Sequence, residues 1–258
     1  MGPVTVRPPS LRHMLREYRA LHELGAYYVA RPLLSLAPSG DGHPVMVLPG
    51  FLASDWSTAP LRAYLRDRGY APHGWGLGVN LGPIQHVKED ARRRVLALRR
   101  ETGRKVSLIG WSLGGIYARE IARAHPEAVR LVITLGSPFA INPKANNAWR
   151  LYELASGDKI DEWEHDWIAH RPKPLPVPST AIYSQSDGVT AWQCCVQPSG
   201  PLSESIEVDS SHCGLGHNPL ALFAIADRLA QPEGRWRPLK RIGLRRLLYG
   251  PSRCRGAD

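Results

Sequence analysis

One serine of this chain lies between two glycines, where an apolar run meets a helical pattern. Residues 106–120 read VSLIGWSLGGIYARE, in which Gly110, Ser112 and Gly114 match the pattern G-x-S-x-G. The run before the serine predicts a buried strand, and the spacing after it predicts a helix over 112–125. A turn of this kind exposes the serine hydroxyl at the helix N-terminus, whose N–H groups and dipole favour an anion. This context favours a nucleophile over a turn that serves packing alone.

Short apolar runs alternate with helical patterns along most of the chain. The predicted strands lie within 44–50, 70–78, 105–110, 129–138, 178–188 and 204–210, and the predicted helices within 57–69, 84–102, 112–125 and 218–230. Helices of this length between strands imply right-handed crossovers and a mostly parallel sheet covered on both faces. The sequence therefore predicts an α/β fold with about six strands, and 258 residues suit one large domain.

Two further polar residues follow strands in the second half of the chain. In an open parallel sheet, reacting groups collect at the carboxyl ends of the strands. The run AIYSQSDG ends with Asp187 and a glycine, and IEVDSSHCG places His212 four residues beyond its strand. The order Ser112, Asp187, His212 is that of nucleophile, acid and base on such a sheet. His217 is the competing base, and Asp209 is a competing acid that lies on the strand end of the histidine itself.

The motifs VLPGF, GWSLGG, SDG and SSHCGLGHNP together resemble the α/β-hydrolase family, and within it the bacterial lipases and esterases. The resemblance covers roughly residues 43–231. It implies that Ser112 attacks the substrate, that His212 is the general base and that Asp187 orients the imidazole. It implies no cofactor.

The resemblance also implies an oxyanion hole made of two backbone N–H groups. One is expected from Leu113, the residue after the nucleophile. The other is expected from Phe51 in the loop after the first strand, where Gly50 lets the backbone turn toward the substrate. The family often has His-Gly at this point, whereas this chain has Pro49 before the glycine.

Three segments lie outside the alternation of strands and helices. Residues 1–43 predict a helical arm (11–24) followed by a Pro-rich linker. The segment 139–178 contains three tryptophans and ends in a Pro-rich stretch, which predicts a small helical cap or lid. The pattern leaves open whether this insertion moves or packs permanently on the core. The predicted core spans 44–231, and 232–258 form a basic tail.

The net charge of +10 is concentrated in the basic tail, where leucines are interleaved with arginines. This pattern fits a solvated helix packed on the domain, or a segment that rests on an anionic membrane surface. No nucleic-acid-binding motif accompanies the charge, so nucleic acid is not an expected partner. No window approaches the roughly 18 apolar residues of a membrane span, and the N-terminus lacks the apolar stretch of a signal peptide. We therefore expect a cytoplasmic protein.

Three of the four cysteines lie on the loops of the predicted acid and base. Some secreted bacterial lipases of the family that the chain resembles have a disulfide between these loops. The resemblance therefore implies a disulfide from Cys194 or Cys195 to Cys213. A cytoplasmic chain, by contrast, keeps such thiols reduced. Their spacing does not match a structural zinc site, so no metal is predicted. The run GWGLGVNLGP lacks the third glycine of a dinucleotide-binding loop, and its Asn80 is expected to hydrogen-bond neighbouring backbone.

Together these patterns predict a serine hydrolase for carboxylic esters, either small molecules or lipids. An acyltransferase with the same three residues is an alternative, since an alcohol can replace water in the second step. A non-catalytic membrane- or partner-binding module on the same fold is another alternative. Such a module would not require Ser112, Asp187 and His212 together at strand ends. The sequence does not predict the oligomeric state.

Overall fold

The fold is built on a parallel sheet. The computed structural model describes residues 6–82, 85–140, 147 and 173–250. Six strands form the sheet in the order β2-β1-β3-β4-β5-β6, and all neighbours are parallel. They are β1 Pro44–Leu48, β2 Ala71–Gly74, β3 Val106–Trp111, β4 Val129–Leu135, β5 Ser179–Tyr183 and β6 Ser203–Glu207. The predicted α/β class and strand number are confirmed.

The helices lie on both faces of this sheet. Numbered in chain order among the described residues, they are α1 Leu11–Leu15, α2 Arg19–Leu34, α3 Ala59–Asp67, α4 Gln85–Thr102, α5 Leu113–Ala124, α6 Pro219–Leu229 and α7 Leu244–Leu248. Short 3-10 turns occupy Arg16–Tyr18 and Trp192–Cys194. None of the described helices is long and apolar enough to cross a bilayer.

Alternating side chains divide the core into two layers. In β1, Val45 and Val47 join one layer, whereas Met46 and Leu48 join the other. Residues of α2, α3 and α6 pack in the first layer, and residues of α4 and α5 pack in the second. Because both faces are covered, β1, β3 and β5 are buried along their whole length.

The N-terminal helix is longer than the sequence predicts. The helical arm expected over 11–24 continues as α2 to Leu34, with Pro32 inside it, so much of the expected linker is helical. Tyr27 and Leu34 are buried in the layer that contains α6. Burial of these side chains offsets the backbone hydrogen bond that a proline removes from a helix. We call residues 6–36 the N-terminal segment.

The other two predicted appendages are described in part. Most of the expected cap or lid over 139–178 lies outside the described residues, although Phe139 and Ala140 at its start are buried beside α5. The described part of the basic tail packs on the core through Leu239 and Tyr249, which are both buried.

Candidate active site

Ser112 occupies a strained turn between β3 and α5. Its backbone has a φ of 52° and a ψ of −120°, a conformation that residues other than glycine rarely adopt. The Ser112 N–H donates to the Leu135 carbonyl of β4, with an N–O distance of 2.8 Å. A side chain at Gly114 would overlap the Leu48 carbonyl, so glycine is required for the helix to approach β1. The strand–turn–helix arrangement predicted from the motif is present.

Asp187 and His212 form a buried hydrogen-bonded pair. The His212 Nδ1 lies 2.7 Å from the Asp187 Oδ2, so Nδ1 donates to the carboxylate and Nε2 carries the lone pair. The Asp187 Oδ1 accepts the N–H groups of Val189 and Thr190 at 2.8 and 2.7 Å, and the Thr190 hydroxyl donates to Oδ2 at 2.9 Å. These three donors fix the orientation of the carboxylate, and the carboxylate fixes that of the imidazole.

The pKa of His212 is raised above its usual value. Burial alone would lower it, but the negative charge and hydrogen bond of Asp187 outweigh burial, and the Glu17 carboxylate adds to the increase. A raised pKa makes the neutral imidazole a stronger base.

A cavity of about 580 Å³ opens beside Ser112 and His212. Its apolar and aromatic lining includes Leu24, Tyr28, Phe51, Trp56 and Trp111. A cavity of this volume and lining is typical of a site for a small apolar ligand. The predicted nucleophile, the predicted base and the predicted oxyanion loop therefore face one space.

The two predicted oxyanion donors come from different elements: Leu113 directly follows Ser112, and Phe51 lies in the loop after β1. Leu113 is the first residue of α5, and the first N–H groups of a helix have no partner within it. Phe51 lines the cavity on the other side, after β1. At the neighbouring Gly50, an added Cβ would lie 3.1 Å from the Ser112 Cβ, which shows how closely this loop approaches the serine.

Asn80 holds the loop that contains Phe51. The Asn80 side-chain amide donates to the Pro49 carbonyl at 2.9 Å, and the Asn80 carbonyl accepts the Leu52 N–H at 2.8 Å. Leu52 has a φ of 57°, which is unfavourable for a leucine, so the loop conformation depends on such anchors. The expectation that Asn80 hydrogen-bonds neighbouring backbone is confirmed.

The competing base and acid are engaged elsewhere. His217 lines the cavity, but its Nε2 lies 2.9 Å from the Ala20 carbonyl and donates to it. The Asp209 side chain is 80% exposed, and it accepts hydrogen bonds from Ser186 and Arg19. The structure thus pairs His212 with Asp187 and places both competitors in other contacts.

Glu17, which the sequence analysis did not identify, joins the loops of the acid and the base. Its Oε1 accepts the N–H groups of Gly188 at 2.8 Å and His212 at 2.9 Å, and its Oε2 accepts the N–H of Cys213 at 3.0 Å. Gly188 directly follows Asp187. One carboxylate of the N-terminal segment therefore fixes both backbones that carry the hydrogen-bonded pair.

A second carboxylate of the N-terminal segment holds the same histidine loop. The Glu23 Oε1 accepts the Ser211 N–H at 2.8 Å, and its Oε2 accepts the Ser210 and Ser211 hydroxyls, each at 2.9 Å. On the opposite side, the Trp111 indole N–H donates to the His212 carbonyl at 3.0 Å. The histidine backbone is therefore held from the N-terminal segment and from the residue before Ser112.

The disulfide implied by the resemblance is absent from the structure. No disulfide joins Cys194 or Cys195 to Cys213; the first two cysteines are buried, and the third is exposed. The link between the two loops is made instead by the Glu17 carboxylate. Within the described part of the chain, no three His, Cys, Asp or Glu side chains are grouped where they could hold a metal ion.

Comparisons with known proteins give one family match and several structural matches. The sequence matches the model of the alpha/beta hydrolase family over residues 45–250. It matches none of the curated proteins. Among solved structures, Aspergillus fumigatus lipase B is 16% identical with a TM-score of 0.54, and the match covers 74% of this chain and 53% of that chain. This chain therefore spans about half the length of that lipase.

An N-formylmaleamic acid deformylase from Pseudomonas putida is also similar. It is 16% identical with a TM-score of 0.52, and the match covers 74% of this chain and 94% of that chain. At these identities the two structures share the fold alone with this chain. The family model nevertheless covers most of the chain, including the turn at Ser112 and the loops of Asp187 and His212. The chain belongs to the alpha/beta hydrolase family.

Proposed function

We propose that this protein hydrolyses carboxylic esters through an acyl-enzyme formed on Ser112. The observation that supports this proposal most is the 2.7 Å bond between His212 Nδ1 and Asp187 Oδ2, beside a cavity that Ser112 also lines. A serine hydroxyl is a weak nucleophile until a base removes its proton, and that base requires an oriented acid. The nucleophile and the base thus border one cavity, and the acid is hydrogen-bonded to the base.

In the first half of the reaction, the Ser112 Oγ attacks the acyl carbon while His212 Nε2 takes the hydroxyl proton. Asp187 holds the ring and stabilises the charge that it gains. The N–H groups of Leu113 and Phe51 bind the oxyanion of the tetrahedral intermediate. When the intermediate collapses, the bond to the alcohol oxygen breaks, and that oxygen takes the proton from His212.

In the second half, water attacks the acyl-enzyme. His212 removes a proton from the water, and the new oxyanion occupies the same two N–H groups. Collapse releases the carboxylic acid and returns the proton to the Ser112 Oγ. An alcohol in place of water would give acyl transfer through the same steps.

The lining of the cavity indicates the substrate class. Leu24, Phe51 and Trp56 provide apolar surface next to Ser112. An apolar acyl chain gains about 0.8 kcal/mol for each buried CH₂ group, so such surface favours aliphatic or aromatic acyl groups over charged ones. The proposed substrate is therefore a small-molecule or lipid ester with an apolar acyl group.

Hydrolysis of p-nitrophenyl esters from acetate to palmitate would test this proposal. We expect Ser112→Ala to lower kcat by about a thousandfold or more, because the nucleophile is removed. Ser57→Ala is the matched control, since Ser57 lines the same cavity and its hydroxyl donates to the Ser54 carbonyl. We expect this control to keep kcat within about threefold of the parent.

Two outcomes of the same assay would contradict the proposal. Absence of turnover by the parent at every chain length would favour a binding module on this fold. Equal turnover by the parent and Ser112→Ala would assign the nucleophile to another residue. A fall in acid product on addition of an alcohol, with a new ester in its place, would identify acyl transfer instead.

A further inference from the structure

The outward side of the N-terminal segment carries a row of exposed apolar side chains. Each is between 58% and 83% exposed. We call this row the outer stripe, and its members are Leu11, Leu15, Tyr18, Leu21, Tyr28, Val29, Leu33 and Leu36. Large contiguous apolar patches are uncommon on the surface of a monomer and mark interaction sites.

The spacing of the outer stripe places it on one side of the helices. Its members recur mostly at steps of three or four residues, apart from the gap that contains Gly25. Steps of three or four residues return to the same face of a helix. The opposite side carries Glu17, Glu23, Tyr27 and Leu34, which contact the loops of the site and the core. The segment is therefore apolar on its free side even though its other side is already packed.

The two acids of the N-terminal segment contact the site loops, as does Arg19, whereas its other arginines are exposed. Its two acids, Glu17 and Glu23, point inward and accept hydrogen bonds from the site loops. Arg7, Arg12 and Arg16 are exposed. The accessible surface of this segment is thus apolar and cationic, with both of its negative charges turned inward.

We propose that the outer stripe docks this protein on an anionic lipid surface. Apolar side chains flanked by arginines bind at the boundary between lipid headgroups and acyl chains, where the arginines neutralise the headgroups. A second copy of the chain fits this surface less well. Each copy has a formal net charge of +10 and presents the same arginines, so two copies repel each other.

The outer stripe adjoins the mouth of the cavity. Tyr28 belongs to the stripe and also lines the cavity, next to Leu24 of the same helix. Trp56 lines the cavity from the other side and is 86% exposed. A docked lipid surface would therefore lie against the cavity entrance, where an ester in that surface could reach Ser112. Access of the ester to Ser112 rests on the proposed function, whereas docking on the lipid does not.

Co-sedimentation with vesicles tests the docking separately from catalysis. Every protein carries Ser112→Ala, so that ester hydrolysis cannot alter the vesicles. The vesicles are either phosphatidylcholine alone or equal parts of phosphatidylcholine and phosphatidylglycerol. We expect binding to the mixed vesicles, weaker binding to phosphatidylcholine alone, and a loss of binding as salt is raised.

Paired variants locate the surface that binds. The pair Leu21→Ser with Val29→Ser removes outer-stripe side chains that are 77% and 83% exposed. The matched pair Ile242→Ser with Leu247→Ser removes tail side chains that are 71% and 84% exposed. We expect the first pair to weaken binding at least about tenfold and the second to change it less than about twofold. Unchanged melting temperatures would show that both pairs fold.

The vesicle assay would overturn the proposal if the parent did not sediment with mixed vesicles, or if it bound both kinds of vesicle equally. It would also do so if only the tail pair lost binding, or if the outer-stripe pair bound as well as the parent. A dimer of the parent in solution that the outer-stripe pair converts to monomer would assign the surface to a second copy of the chain.

Discussion

The N-terminal segment and the basic tail are both rich in arginine and leucine, but different groups attach them to the fold. In the tail, Leu239 and Tyr249 are buried, and Arg245 pairs with Asp227 of α6 at 3.0 Å. In the N-terminal segment, the carboxylates contact the site and most of the large apolar side chains face outward. The tail therefore attaches to the fold through two buried side chains and through polar contacts of its backbone and arginines, whereas the N-terminal segment contacts the site loops through its acids.

This difference shows why the sequence analysis identified the basic tail, and not the outer stripe, as a candidate membrane-binding segment. In the tail, leucines alternate with arginines, which is the usual pattern of a segment at a membrane surface. In α2, apolar residues occupy both the inner and the outer side, so the contrast between two sides is weak. Only the packing shows that Tyr27 and Leu34 are covered and that Val29 and Leu33 are not.

The largest predicted effect concerns the attachment of the tail. Glu204 is buried, and its carboxylate accepts hydrogen bonds from Arg228 at 2.7 Å and from the Leu239 N–H at 2.9 Å. Glu204→Gln removes one of the two carboxylates that pair with the buried Arg228 guanidinium, the other being Asp227, so we expect the free energy of unfolding to fall by about 3 kcal/mol. Urea denaturation followed by circular dichroism measures this loss.

The kcat of the folded variant shows whether the loss of stability in Glu204→Gln also affects the site. We expect the folded Glu204→Gln protein to keep the kcat of the parent, because none of the tail residues that the structure describes lines the cavity beside Ser112. Glu207→Gln, at the less buried end of the same strand, should cost about 1 kcal/mol or less. A fall in kcat that exceeds the fall in folded protein would show that the tail also supports the site.

The second prediction tests the attachment of the N-terminal segment. In Glu17→Gln, a single amide oxygen replaces a carboxylate that accepts three N–H groups, from Gly188, His212 and Cys213. The histidine backbone loses one of its anchors, so we expect kcat on a p-nitrophenyl ester to fall about tenfold to a hundredfold with little change in KM. Glu101→Gln on the exposed end of α4 is the control with the same change in charge.

The pH profile of Glu17→Gln distinguishes a positioning role from a loss of folded protein. The base acts as neutral imidazole, so kcat/KM falls as the pH drops through the raised pKa of His212. The Glu17 charge contributes to that increase, and its removal lowers the pKa. We therefore expect the acid limb of the profile to move to lower pH. A lower rate with an unmoved acid limb would indicate a structural role only.

The smallest predicted effect concerns the outer stripe in solution. With a short soluble ester, we expect Leu21→Ser with Val29→Ser to keep kcat within about twofold of the parent and the free energy of unfolding within about 0.5 kcal/mol for each change. Both side chains are more than three-quarters exposed, and neither lines the cavity beside Ser112. A large loss of activity on the soluble ester would mean that the two sides of the N-terminal segment are not independent.

The fold and the geometry of the central turn could be predicted because their signals are local. The run before Ser112, the glycines around it and the apolar spacing after it lie within 15 residues of one another. The proximity of Asp187 and His212 could be predicted as well, because the carboxyl ends of β5 and β6 meet at one edge of the sheet. Their catalytic roles stay a prediction until the variants are assayed.

Glu17 could not be predicted, because no local pattern marks it. Its partners lie 171 to 196 residues further along the chain, and an acid between arginines in a helical pattern is usually solvated. The length of α2 was underestimated for a related reason. Pro32 indicates the end of a helix when the sequence is considered alone, and the burial of Leu34 that extends it is a tertiary contact.

The Glu17 contacts also have a consequence for the newly made protein. Synthesis runs from the N-terminus, so Glu17 is made 195 residues before His212. At 5 to 20 residues per second, about 10 to 40 s separate the two. During that interval the outer stripe has left the ribosome ahead of the loops that the inner side binds. The inner side of the N-terminal segment therefore stays without its hydrogen-bond partners until the loop of His212 has been made.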